Sequence, residues 1–222
     1  MEKRIVFYDF ESPLNNEQIV NRFIEHRFTK DANSGFSVHK SNNSGVYFRH
    51  IKKIINIDKV VTPFGDEYEN TTVDYAINEV KIKDNMLQII NPTRSLTPFR
   101  TDLLKSLGFQ CTISNKIIRL NDILSLLRNR EFDVNLTDIE LKSHEFFKES
   151  RVKMVISSNL DLIEKTESFL RDIKSELMKI GFNIILDGEN YHVEIGCKGA
   201  LKITGDLIDD KVEDYIVNGI LL

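Results

Sequence analysis

Asp66, three residues after Pro63, is followed thirteen residues later by Glu79-Val80-Lys81. Two carboxylates and a lysine are the residue types that gather a divalent cation beside a phosphate. Hard cations take oxygen ligands, and the lysine positions or activates the attacking water. In that chemistry Asp66 and Glu79 would ligate Mg2+, and Asp66, Glu79 and Lys81 together would form the catalytic set, with Glu17 or Glu25 as an extra ligand.

The arrangement has the layout of a PD-(D/E)xK nuclease core, with one departure: Asp66 does not follow its proline directly. Strand parity accounts for the same residues without a metal. With side chains alternating at period two, Glu79, Lys81 and Lys83 share one face and Val80 and Ile82 the other, as in a half-exposed antiparallel strand. Asp66 decides between the readings. If the loop TPFGDEY folds its carboxylate onto the face of Glu79, a cation site forms. If it points away, the stretch is a hairpin.

A second candidate is basic. Residues 91–131 carry seven Lys/Arg against three Asp/Glu, whereas 1–90 carry 12 against 13 and 132–222 carry 11 against 18. Arg94 and Arg100 flank a helix start whose free N–H groups suit a phosphate, and with Lys105, Lys116 and Arg119 they form the candidate nucleic-acid contact. Against it stand an overall pI near 5.8 and the lack of any nucleic-acid-binding signature. A basic middle beside an acidic C-terminal part also describes two segments that attract each other within a fold.

Other templates fail. No GxxxxGK[ST], GxGxxG or GxSxG is present. The five histidines show no HExxH spacing, and Cys111 and Cys197 stand far apart outside any CxxC, so they read as small apolar residues. No cofactor motif remains, and Mg2+ enters only with the nuclease alternative.

The positioning elements follow from periodicity and punctuation. KRIVFYDF reads as a strand, and Asn15 or Asn16 caps a helix with Ile19, Val20, Phe23, Ile24 and Phe28 on one stripe. Residues 46–61 read as extended, TPFGDEYENT as a loop, and VDYAINEVKIK and MLQIIN as a hairpin about Asp84-Asn85. A helix with Pro98 early and Gly108 past its end follows, then a strand and a helix capped by Asn121 or Asp122. NLDLIEKTESFLRDIKSELMKIGF (159–182) predicts the longest helix, with Leu162, Ile163, Phe169, Leu170, Ile173, Leu177 and Ile180 buried and Gly181 ending it. Asp187-Gly188 then turns between two strands.

Strands that come mostly in hairpins imply an α+β fold with mainly antiparallel sheets and four to five packed helices. The polar joint near 131–150 divides the chain into an α+β part at 1–131, with a β-meander and the basic helical segment, and an acidic β-β-α-β-β part at 132–222. At 41% hydrophobic and 29% charged, with no apolar run of 18 residues, the chain reads as a soluble cytoplasmic protein with no membrane partner. The functional expectation is a non-catalytic accessory or adaptor subunit acting through protein–protein contacts in a larger bacterial assembly. Fourteen Phe, six Tyr and the apolar tail YIVNGILL supply interface material. The Asn-, Ile- and Lys-rich composition fits an AT-rich bacterial or mobile-element gene, which extends the expectation to antiviral defence.

Overall fold

The computed structural model describes residues 1–42, 45–129, 133–143, 152–166 and 175–221. The fold is α+β, with antiparallel strand pairing throughout the ladders of its two compact units. One unit is Phe7–Ser114, and the other joins Met1–Val6 to Asn115–Leu222. The first strand, β1 (Glu2–Glu11), begins in the second unit and ends in the first. Among the described residues no helix is long and apolar enough to cross a membrane.

The Phe7–Ser114 unit is built on β2 (Ser34–Asn42), β3 (Gly45–Val61), β4 (Glu67–Lys83) and β5 (Met86–Ile90), hydrogen-bonded in that order. Asp84 and Asn85 both take positive φ (49° and 61°), which lets a two-residue turn reverse β4 into β5. Helix α1 (Asn16–Glu25) starts on a complete capping box: the Asn15 side chain accepts from the Gln18 N–H, and the Gln18 side chain accepts from the Asn15 N–H. It buries Ile19 and Phe23 but leaves Ile24 54% exposed, so the apolar stripe is narrower than periodicity alone implies. Phe23 stacks on Phe36 at 4.6 Å and meets Phe48 at 4.4 Å between ring centres. Helix α2 (Thr97–Ser106) carries Pro98 in its first turn and adds Phe99 and Leu103 to the core, with Gly108 at φ +63° just beyond its end. Its N-terminus, at Leu96, has no side-chain cap.

In the second unit the start of β1 pairs with β11 (Ala200–Thr204), followed by β10 (Glu189–Gly196), β9 (Ser175–Leu186), β7 (Val134–Ser143) and β8 (Val152–Ser157). Short β6 (Thr112–Asn115) lies at the chain's crossing between units. Helix α3 (Leu120–Arg128) begins earlier than an Asn121 or Asp122 cap would allow, because Leu120 is itself buried, and it contributes Ile123, Leu124 and Leu127 to the core. The apolar tail is helical: α4 (Asp210–Ile216) runs into a π-turn at Val217–Leu221, and Ile216, Val217 and Ile220 are buried. Those three residues of the tail are therefore core, while Tyr215 stays 43% exposed.

The helix expected at 159–182 is corrected over its last third. Helix is present at 163–166, residues 167–174 lie outside the described residues, and 175–186 form β9. Strand β9 is central, with β7 on one side and β10 on the other. Ile180, Phe182 and Ile184 alternate into the core, so period two governs where period 3.6 was read. Gly181 ends no helix. It sits in the strand beside Asp138, whose Cβ a side chain at 181 would meet at 3.0 Å.

One ion pair ties α4 down. Glu213 is 1% exposed and pairs with Lys3 of β1, which also approaches Asp210 at 3.8 Å. Deleting one member of a buried pair strands the other charge. Lys3→Met, which takes the ammonium away from the more deeply buried Glu213, should cost about 3 kcal/mol. Glu213→Gln should cost less, since Lys3 retains Asp210, and urea unfolding of the two variants reads the order.

Candidate functional site: the β3–β4 ribbon

The structure separates the residues that the metal-site reading needs together. Asp66 sits in the turn after β3, where its side chain lies 3.4 Å from the Thr62 hydroxyl and its N–H donates to that hydroxyl at 3.0 Å. Glu79 sits on β4. Every residue from Glu67 to Glu79 is extended, so the two carboxylates stand roughly 40 Å apart at the rise of a strand. One cation cannot span that distance. The physical reason is that TPFGDEYENT is only partly loop: its second half continues β4, which carries the Asp away from the Glu.

Each of the two partners has a structural role where it stands. Glu79 accepts from the Arg49 guanidinium at 2.9 and 2.5 Å, directly across the β3–β4 ladder. Lys81 lies over the Tyr47 ring at 5.9 Å, also its cross-strand neighbour. Glu79, Lys81 and Lys83 occupy one face while Val80 and Ile82 are buried on the other. Among the described residues no three His, Cys, Asp or Glu side chains converge on a metal position.

The basic candidates divide between the units. Arg94 and Lys105 are exposed in the Phe7–Ser114 unit. Arg100 is half-buried, over the Tyr8 ring at 5.5 Å and donating to the Ile113 carbonyl at 3.4 Å, which ties it to packing. Lys116 and Arg119 belong to the other unit. There Arg119 borders an open cavity of about 600 Å³ with Lys142 and Lys198, where Asp122 and Glu176 offset the positive charge.

A buried dyad was not foreseen. His50 is 1% exposed, wedged between Phe36 and Phe99 with ring centres 5.4 Å away on each side, and its Nε2 lies 2.8 Å from Asp102. Nδ1 has no partner. Burial holds the imidazole below its ordinary pKa, opposed by the hydrogen bond and charge of Asp102. A carboxylate orienting one ring nitrogen and leaving the other lone pair vacant is the pattern of a general base. Two aromatic rings close off His50, however, and its effect is to anchor α2 to β3. Asp102 also lines a cavity of about 330 Å³ with His26, Arg27 and Lys105.

No protein-family model matches the chain. No curated protein matches it.

What distinguishes the molecule is the ribbon itself. β3 and β4 pair from Val46·Ile82 to Val61·Glu67 with no shift of register. The inner part rests between β2 and β5, whereas β2 reaches only to Lys52 and β5 only to Glu79. Beyond those points two strands continue alone, and every residue from Ile54 to Tyr75 on them is exposed apart from half-buried Thr62 at the turn. One face carries Ile51 opposite Ile77, Lys53 opposite Tyr75, Ile55 opposite Val73 and Ile57 opposite Thr71. The reverse face carries Ile54 opposite Asp74, Asn56 opposite Thr72, Asp58 opposite Asn70 and Val60 opposite Tyr68. Phe64 at the tip is 92% exposed. Tyr75 touches Phe28 edge-on at 6.1 Å, where the ribbon leaves the body of its unit.

The dyad yields a pH dependence. A histidine whose folded pKa is lowered binds fewer protons folded than unfolded, so its stability contribution is complete above the unfolded pKa near 6.5 and falls as pH drops below it. Denaturant unfolding between pH 7.5 and 5 should show stability falling by at most about 1.4 kcal/mol per pH unit from this one group. His50→Phe should flatten that slope, and an unchanged slope would remove His50 as its source.

Proposed function

We propose that the chain is a non-catalytic docking subunit whose working surface is the β3–β4 ribbon. One observation carries the reading: an apolar face that starts at Ile51·Ile77 and continues, across Lys53·Tyr75, through Ile55·Val73 and Ile57 extends on two strands past their neighbours. A two-stranded ribbon is at best marginally stable in water, and contiguous exposed apolar surface marks an interaction site. Ile55 at 53% and Ile57 at 58% exposure contribute nothing to the core of their own unit. An interface explains residues that folding does not require.

Electrostatics favours a protein partner. Between Ile54 and Ile77 the chain carries Asp58, Asp66, Glu67, Glu69 and Asp74 against Lys59 alone, a balance that repels a phosphate backbone. The separation of Asp66 from Glu79 supports binding over metal-assisted cleavage.

Ile55→Lys combined with Ile57→Lys tests this. Stability should change by less than about 1 kcal/mol, since both positions are exposed strand residues. Proteins that co-purify with the wild-type chain at native levels should be lost from the variant. Recovery of the same complexes at the same ratio would contradict a role for the ribbon.

A further inference from the structure

We infer that the occupant of the apolar face is a second copy of the chain, its ribbon laid antiparallel across the first; this rests on the docking reading above.

The charges on the two faces differ in a way that selects the partner. The apolar face continues outward from Lys53·Tyr75 through Ile55·Val73 and Ile57·Thr71 to Lys59·Glu69 and Val61·Glu67. It is therefore balanced, two lysines against two glutamates, around an apolar middle. The reverse face holds Asp58 and Asp74 with no lysine beyond Lys52. Stacking apolar face on apolar face buries the neutral side and leaves the unbalanced acids in water.

The charge is also graded along the face. Lys59 lies 3.9 Å from Glu69, which leaves Lys53 as the surplus at the root and Glu67 as the surplus near the tip. In a parallel stack like charges would meet. In an antiparallel stack Lys53 of each ribbon meets the Glu67–Glu69 end of the other, and the contact is self-complementary about a two-fold axis close to Ile57. Such an isologous contact closes as a dimer.

The surface is large enough. Beyond its neighbours the ribbon runs about eight residue pairs, roughly 26 Å. Side chains on one face of both copies would bury on the order of 1,000 Å² in total, the lower bound for a specific interface. Two ribbons packed face to face also form a small four-stranded sandwich, which removes the marginality of each ribbon alone.

Sedimentation velocity across a concentration series tests the assignment on the full chain. Wild type should self-associate to a dimer. Ile57→Asp, which brings two carboxylates together near the axis, should weaken association by roughly thirtyfold or more. Lys53→Glu alone and Glu67→Lys with Glu69→Lys should each weaken it, whereas all three substitutions in one chain should restore most of it. Asp58→Asn on the reverse face should leave it unchanged. Circular dichroism confirms that each variant is folded, and should Ile57→Asp not fold, the charge-swap series decides alone. A wild type that stays monomeric, a dimer indifferent to Ile57→Asp, or a triple variant no better than its parts would overturn the inference. A monomeric wild type whose co-purifying proteins are lost on Ile55→Lys with Ile57→Lys overturns the dimer and keeps the docking reading. A dimer that survives those two lysines overturns both.

Discussion

The β3–β4 ladder keeps one register from a packed core out into solvent, and the rest of the functional account depends on that continuity. At its inner end the ladder is held by Phe48 and Val80 in the core and by the neighbouring strands β2 and β5. Cross-strand hydrogen bonding then propagates outward residue by residue, so the outer ribbon inherits its register from a root it does not itself stabilise. His50 strengthens that root. Its Nε2 bond to Asp102 joins β3 to α2, and the phenyl rings of Phe36 and Phe99 close around it. An arm of fixed geometry with an apolar face is the result.

The same continuity dissolves the apparent metal site. An acidic residue in a turn and an acidic residue on the following strand converge only if the chain between them doubles back. Here it does not, and Asp66 and Glu79 end at opposite ends of one long strand. Charge spacing along a sequence is blind to this, because ExK on a half-buried strand and ExK at a cation have the same parity. Glu79 finds Arg49 and Lys81 finds Tyr47, both across the ladder, where side-chain pairing is the ordinary unit of sheet stability. The second unit uses the same device more densely: Lys202 bridges Glu194 at 3.1 Å and Glu2 at 3.2 Å, and Lys179 reaches Glu194 at 2.6 Å. Burial raises Glu194, but the two ammonium groups outweigh it and hold the carboxyl below its usual range.

Local signals read well where they are local in cause. The Asn15 capping box, the positive-φ pair Asp84-Asn85, the Asp187-Gly188 turn and Gly108 past α2 all follow from backbone preferences of the residues themselves. Strand against helix at 175–186 did not follow, because SELMKIGF fits an amphipathic helix and a buried central strand almost equally, and its two partner strands decide. The ribbon was half visible. Ile51, Ile55 and Ile57 mark an extended run, but the Ile54-Ile55 pair blurs their alternation, and nothing local reveals that β2 and β5 stop short. His50 and Asp102 are 52 residues apart, and only tertiary packing brings them together.

Amide hydrogen exchange along the ribbon, followed as protein concentration rises, tests the central claim most directly. If the apolar face is an interface, exchange across 54–61 and 67–75 slows with concentration, while amides of the core strand β5 stay constant. Fast exchange in the ribbon that does not vary with concentration or with any added partner would contradict it.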